Sequence, residues 1–306
     1  MGPNDMMGSR IVVLGGAGFL GSHLCERLLE DGAAEVISVD NFITGSERNL
    51  AELPRLGRFL SIRHDITQPL RIAGPVDYVF NMASPMDSAQ LPIETLRVGS
   101  LGTENGLILA RDKGAVFLQA STPHPDESKR YAEALVSAYR DTYGMQTRIA
   151  RIFNTYGPRM RLQDGRVVPT FVGQALRGEA FTIFGDGSQT RSFCYVSDLV
   201  DGLVRLALSD VLEPVNLGNP RELTILEVAE AVSNAHGGGG RLVFQPLPKD
   251  DPQQGLPDIT LARELLGWEP QVNLEEGIVA TLSWFSRQVS NKRPNRLDGG
   301  MASAPL

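Results

Sequence analysis

Cysteine is nearly absent: the 306 residues hold two, Cys25 and Cys194. Neither sits at metal-ligand spacing, and two far-separated thiols make no disulfide framework. A stapled mini-domain is therefore excluded, no metal is expected, and a reducing compartment is the natural setting. Long apolar runs are missing as well. The run that opens at Ile11 is broken by glycine and no later stretch is long enough to span a bilayer, so neither a signal segment nor a membrane anchor is expected. A cytoplasmic protein follows as the expectation. Basic charge is also short, with 29 Lys+Arg against 36 Asp+Glu and a formal net charge of -7. That balance argues against nucleic acid or an anionic membrane as a general partner. Any anionic ligand must meet a local basic site.

What is present is an ordinary globular composition, 42% hydrophobic and 21% charged. The length allows a large core, as one large or two closely joined domains. The chain is organised around Arg10 to Leu29, RIVVLGGAGFLGSHLCERLL. Ile11 to Leu14 form a short apolar run, Gly15, Gly18 and Gly21 follow, and Leu20, Leu24 and Leu28 recur at helical spacing. This is strand, tight turn, helix. Gly15 allows the turn, Gly18 lets the backbone approach a pyrophosphate, and Gly21 lets helix and strand pack closely. The N–H groups at the helix start then face the phosphates. A second strand, Glu35 to Val39, ends on Asp40, placed to accept from a ribose 2′-hydroxyl. Asp40 repels a 2′-phosphate and Asn41 supplies no positive charge, so NAD is favoured over NADP.

Strands are predicted at Ile11–Leu14, Val36–Val39, Phe59–Ile62, Val76–Asn81, Val116–Gln119 and Arg148–Phe153, with helices between most of them. The alternation predicts an α/β fold, a Rossmann-type doubly wound parallel sheet with a smaller C-terminal substrate-binding lobe. Residues 1–9 read as a loose tail, 10–153 as the NAD-binding domain, 154–290 as a mixed α/β substrate-binding lobe interleaved with it, and 291–306 as disordered. A helix over Asp126 to Tyr143 carries Ala132, Leu135, Val136, Tyr139 and Tyr143 on one stripe, for the core or a partner helix. In the second lobe a helix is predicted near Val168–Arg177, a strand at Phe181–Phe184 and a turn at Gly185 to Gly187. Thr224 and Glu227 make a capping box, and further helices run near Ile259 to Leu266 and from Leu274 to Phe285 or beyond.

The motifs GGAGFLGSHL, VDNFITG, IRHDIT, NMASP, ARIFNTYGPRM, GDGSQTRSFCYVSDLVDG and PDITLARELLGWEP occur in the order seen in extended short-chain dehydrogenase/reductases. From about Arg10 to Ser286 the set closely resembles the UDP-glucuronic acid decarboxylases. The resemblance implies that NAD takes hydride from C4 of UDP-glucuronic acid, that the β-keto acid loses carbon dioxide, and that the hydride returns to give UDP-xylose. A neighbouring ketone holds the developing charge as an enolate, which is why transient oxidation makes decarboxylation accessible. By position in the family motifs, Gly15, Gly18, Phe19, Leu20, Asp40, Asn41, Phe42, Thr44 and Gly45 are implied at the cofactor. Asp65, Ile66, Ala83, Ser84 and Lys129 join them. Pro85, Asn154, Val168, Phe184, Gln189 and Arg191 are implied at the substrate, Arg191 as a phosphate contact. The resemblance also implies a homodimer through a four-helix bundle, built from helices near Glu94–Lys113 and Asp126–Tyr143.

In such enzymes the base is the tyrosine of a Tyr-x-x-x-Lys pair, with a Ser or Thr at the end of the preceding strand. Ser121 and Thr122 match the hydroxyl and Lys129 the lysine, but Pro125 stands where the tyrosine is expected. Only Thr122 to Ser128 separate Ser121 from Lys129, so the family's long loop over the sugar is missing too. Tyr131 lies about 200° around the helix from Lys129 and points elsewhere. His124, in the short loop with an ordinary pKa near 6.5, is the candidate replacement base; Lys129 itself reads either as a cofactor ribose contact or as a solvated helix lysine. In DDPQQGLPDI, Gly255 and Leu256 occupy places that are basic in the family. Two classes stay open: an NAD-dependent nucleotide-sugar enzyme with impaired or altered chemistry, a decarboxylase or another epimerase or dehydratase, and a non-catalytic or repurposed NAD-binding paralogue.

Overall fold

Apolar runs that bury both faces of a strand form a parallel sheet between two helical layers, and among the described residues seven strands join in one such sheet, the edge strand Phe59–Arg63 half-exposed. The computed structural model describes residues 6–85, 90–124, 126–162, 165–247 and 256–290. The strands are β1 (Arg10–Leu14), β2 (Glu35–Asp40), β3 (Phe59–Arg63), β4 (Tyr78–Asn81), β5 (Val116–Ser121), β6 (Thr147–Ile152) and β7 (Val215–Leu217). They lie in the order β7-β6-β5-β4-β1-β2-β3, every neighbouring pair parallel. Alternation sends Ile11 and Val13 into the core on one face and Val12 and Leu14 into the core on the other. The chain runs outward from β1 to β3, then crosses back to β4 beside β1. The crevice at that reversal, beyond the carboxyl ends of β1 and β4, is where such sheets take ligands.

Seven longer helices pack around this frame: α1 (Phe19–Glu30), α2 (Thr103–Lys113), α3 (Glu127–Tyr143), α4 (Val167–Arg177), α5 (Val196–Leu208), α6 (Ile225–Ala235) and α7 (Leu274–Ser290). The predicted helix over Glu94–Lys113 is helical throughout, but a π-helical turn at Val98–Gly102 joins Pro92–Arg97 to α2. Gly99 permits close packing there, since a Cβ on it would lie 2.7 Å from the Ser128 Cβ on α3. Helix α3 starts on Asp126, whose side chain accepts from the Lys129 N–H. Its stripe does not stay in the core. Ala132 and Val136 are buried, whereas Tyr143, in the last turn, is 53% exposed and stacks on Tyr139 beside the Arg111 guanidinium.

The second lobe has its own core of Tyr156, Phe171, Phe181, Ile183, Val228 and Ile278, between α4, α6 and α7. Short pairs edge it: Thr155–Tyr156 with Cys194–Tyr195, Thr190–Ser192 with Glu222–Thr224, and Phe181–Phe184 with Leu242–Gln245. The capping box forms as read, with the Thr224 hydroxyl accepting from Glu227 N and the Glu227 carboxylate accepting from Thr224 N. Helix α5 and β7 return to the first sheet and its core. Val76 does not start β4, which begins at Tyr78. The loose tail expected over 1–9 is corrected for its last residues: Met6 is 1% exposed and packs in the core cluster that holds Leu28 and Leu29, and Gly8 N donates to Gly32 O. Residues 1–5 and the expected tail at 291–306 lie outside the described residues. Among the described residues no helix is long and apolar enough to cross a membrane.

Trp268 ties the C-terminal segment to α5. It is 1% exposed, and its indole N–H donates to the Asp198 carbonyl at 2.9 Å while the Asp198 carboxylate accepts from Gln271 N and Val272 N. Trp268→Ala is expected to cost about 3–5 kcal/mol of stability. Trp268→Phe keeps most of the packing and loses the hydrogen bond, for a smaller cost. Urea midpoints of the two variants check the ranking.

Candidate active site

The turn after β1 is built by missing side chains. Gly15 has φ +78°, its N–H donates to Val39 O, and a Cβ on it would lie 2.7 Å from the Ala83 backbone. A Cβ on Gly21 would lie 2.1 Å from Gly15 O, so α1 could not sit where it does with any other residue there. Gly16, which the motif reading passed over, is equally constrained, 2.4 Å from the Ser38 hydroxyl. Gly18 starts α1 in an extended conformation, and no side chain caps the helix. Its first-turn N–H groups are thus left to a ligand, and a helix N-terminus favours an anion.

At the end of β2 the two oxygens of Asp40 accept from Ala17 N at 2.9 Å and Phe42 N at 2.8 Å. Burial pushes this carboxyl above its ordinary range, against the pull of those N–H groups and of Arg63. Each oxygen keeps a lone pair for a sugar hydroxyl. Asn41, Thr44 and Gly45 line the same cleft, and a Cβ on Gly45 would press on the Asp40 carboxylate at 2.8 Å. Phe42 does not line the cleft: its φ is +61° and its ring lies under the Arg63 guanidinium at 4.4 Å. Arg63 in turn pairs with Glu47 at 2.6 Å. Phe19, Leu20, Asp65, Ile66, Ala83 and Ser84 complete this wall. Asp65 is held by the Thr67 N–H and hydroxyl, each at 2.9 Å.

Ser121, Thr122, His124 and Lys129 share that cleft, at the end of β5 and the start of α3. Lys129 is no solvated helix lysine. It is 9% exposed, its Nζ donates to Ala120 O at 3.2 Å, and burial lowers it to about 8, opposed by Asp126. Ser121 donates to the Glu133 carboxylate at 2.5 Å, and Arg151 grips the same carboxylate at 3.0 and 2.6 Å. Burial pushes Glu133 up, but Arg151 and Ser121 outweigh it and hold the group below the usual carboxylate range. Arg130 donates to the Thr122 carbonyl. His124 lies edge-on to Phe153, and its buried Nε2 has no hydrogen-bond partner among the described residues. Burial lowers its pKa below 6.5. Pro125 lies outside the described residues.

The cleft has a volume of about 950 Å³ and takes in Pro85 and Asn154. A second cavity of about 330 Å³ shares Asn154, Thr155, Met160 and Arg166 with it and is lined by Val168, Phe184, Gln189 and Arg191. The substrate candidates therefore divide between two adjoining hollows. Gln189 donates to Phe184 O at 2.6 Å and Arg191 to Thr190 O at 2.8 Å. Leu256 is exposed, while Gly255 lies outside the described residues.

Several site residues escaped sequence reasoning. Arg48, Arg97, Arg159, Arg161, Arg166 and Arg177 all line the cleft, the local basic site that a chain of net charge -7 needs for an anionic ligand. Arg159 pairs with Glu26 at 2.7 Å while its Nη1 is buried without a partner among the described residues. Arg159, Arg161 and Arg166 lie close together in the chain, but the other three come from separate segments, so no continuous run of charge announces the set. Glu133 did carry a mark: it is four residues from Lys129, on the same helix face.

A family model described as the NAD dependent epimerase/dehydratase family matches residues 11–125 and 126–218, broken at the short loop. The UDP-glucuronic acid decarboxylase 1 of Danio rerio is 45% identical over 316 residues, covering 94% of this chain and 75% of the relative. Ninety-four per cent of 306 residues is about 288, some 28 short of 316, so that many aligned positions have no counterpart here. UDP-glucuronic acid decarboxylase 5 of Arabidopsis thaliana is 46% identical, covering 88% of this chain and 87% of the relative. Among solved structures, a UDP-glucuronic acid 4-epimerase from Bacillus cereus in complex with UDP-glucuronic acid and NAD superposes with a TM-score of 0.80. It is 26% identical and covers 91% of this chain and 99% of its own.

Burial depresses Lys129 from 10.5 to about 8. The unfolded chain therefore binds its proton more tightly, and the folded state is penalised wherever the amine is charged in both. Lys129→Met is expected to raise stability at pH 7 by about 2–3 kcal/mol. The gain shrinks as pH rises through 8 and is gone near 10.5. Denaturant midpoints across that window check it.

Proposed function

The chain belongs to the NAD dependent epimerase/dehydratase family, and on that footing we propose that it is an NAD-dependent enzyme acting on a nucleotide sugar, a UDP-glucuronate decarboxylase with altered acid–base chemistry. The observation that carries the reading is a single cleft joining an uncapped, glycine-cradled helix N-terminus and Asp40 to the Ser121, Thr122, His124 and Lys129 floor.

Bound NAD would supply reversible removal of hydride from C4 of the sugar, the oxidation that lets the adjoining carboxylate leave as carbon dioxide. The first-turn N–H groups of α1 hold its pyrophosphate and Asp40 accepts from its ribose. Asp65, Ile66, Ala83 and Ser84 wall the same pocket, and Lys129 reaches it from below. The arginines of the cleft meet the charges of a nucleoside diphosphate and a uronate. Asn154, Val168, Phe184, Gln189 and Arg191 form the nucleotide end in the smaller cavity, and Pro85 sits at the sugar. Ser121 and Thr122 bind the reacting hydroxyl.

Pro125 has no proton to exchange, so the base is assigned to His124. Its ring is kept neutral by burial, and its Nε2 is unspent. Because the depressed pKa lies below 6.5, the ring stays a proton acceptor at that pH and activity falls only under it. A second reading, a non-catalytic NAD-binding relative, draws on Pro125 and on the missing loop positions. The two buried cysteines suit a reducing cytoplasm. For the homodimer, large apolar side chains stand exposed on the two helical segments that would form a bundle: Ile93, Leu96 and Leu101 on one, Tyr131 and Tyr143 on the other.

Incubated with NAD and UDP-glucuronic acid, the purified chain is expected to yield a nucleotide sugar lighter by carbon dioxide, read by mass spectrometry. His124→Ala should slow its formation by about 10²–10⁴. No product at all contradicts the enzyme reading and leaves the non-catalytic one. In sedimentation, the native chain is expected to run as a dimer and Leu96→Glu as a monomer.

A further inference from the structure

Glu133 does not line the cleft, yet it holds a residue that does. It is 8% exposed, and Ser121 is 4% exposed. We propose that Glu133 is a positioning residue that fixes the direction of the Ser121 hydroxyl, so that toward the cleft Ser121 only accepts hydrogen bonds and selects a ligand with a donating hydroxyl at the reacting position. The inference deepens the nucleotide-sugar reading and rests on it.

Arg151 donates to both oxygens of Glu133, and Arg130 lies 3.3 Å from one of them. Two guanidiniums keep the carboxyl ionised, and an ionised carboxylate can only accept. Ser121 Oγ lies 2.5 Å from Oε1, the length of a hydroxyl donating to a carboxylate. The single proton of Ser121 is thereby committed inward. What remains on Oγ is lone pairs, and a ligand group beside them must bring its own proton. Lys129, one helical turn before Glu133, is the complementary donor, already bonded to the carbonyl of Ala120 next to Ser121. Ser121 and Lys129 together thus offer one acceptor and one donor, a pattern that suits a hydroxyl and disfavours a group that only accepts.

The test compares two sugars by calorimetry on protein loaded with NADH, which leaves the sugar unoxidised: UDP-glucuronic acid, whose C4 hydroxyl donates, and its 4-deoxy-4-fluoro analogue, whose fluorine cannot. Native protein is expected to bind the hydroxyl sugar about 3- to 10-fold more tightly. In Glu133→Gln both arginines claim the amide oxygen and the NH₂ turns to Ser121, freeing the serine proton for the cleft; the ratio should fall to about one. Ser121→Ala should do the same with the Glu133–Arg151 pair intact, and carries the test should Glu133→Gln not fold. A change confined to stability would leave the ratio where it was. An unchanged ratio in a folded variant, or equal affinities in the native protein, overturns the inference alone. Binding of neither sugar overturns the nucleotide-sugar reading and this inference with it.

Discussion

A Cβ on Gly21 would lie 2.1 Å from the carbonyl oxygen of Gly15, and the site depends on that close approach of α1 to the turn that follows β1. The sheet order reverses between β1 and β4, so the turn sits at the crevice that opens there. Closing α1 onto it aims the helix's first N–H groups into the crevice. The same turn offers Ala17 N to the Asp40 carboxylate, 23 residues on. The glycine turn and Asp40 are therefore one hydrogen-bonded unit, and a displacement of either moves the other.

The opposite side of the cleft is braced differently. There the short segment after Ser121 lacks the length to fold over a sugar, and its order comes from α3. Glu133 holds the Ser121 hydroxyl, Arg130 holds the Thr122 carbonyl, and the Thr122 hydroxyl accepts from His124 N. A helix does what a longer loop would share, at the expense of coverage. Six arginines line the cleft and give it the basic character that the chain as a whole lacks.

Much of this was legible in the residues. Three glycines, an apolar strand and an acidic residue at the next strand end are local marks with one physical explanation, and the structure places them together around a turn. Six of the sheet strands were long enough to show as apolar runs, as was Phe181–Phe184 in the second lobe; β7 and the other paired strands there, two to four residues each, were too short to show a period. Asp126, Thr224 and Glu227 mark helix starts because capping is also local. What escaped was tertiary. Gly16 is needed because β2 brings Ser38 against it, the Phe42 ring packs under Arg63, which β3 delivers, and Glu133 matters because β5 and β6 bring Ser121 and Arg151 to it. Tyr143 stands exposed rather than in the core because a helical stripe says which face is apolar, not whether a neighbouring layer or a partner helix covers it.

The central claim is that the glycine turn and Asp40 form an NAD site. Calorimetric titration of the purified chain with NAD and with NADP tests it most directly. The account expects NAD to bind and NADP to bind weaker by at least about tenfold, because a 2′-phosphate would face the Asp40 carboxylate. Preference for NADP, or no binding of NAD, would contradict it.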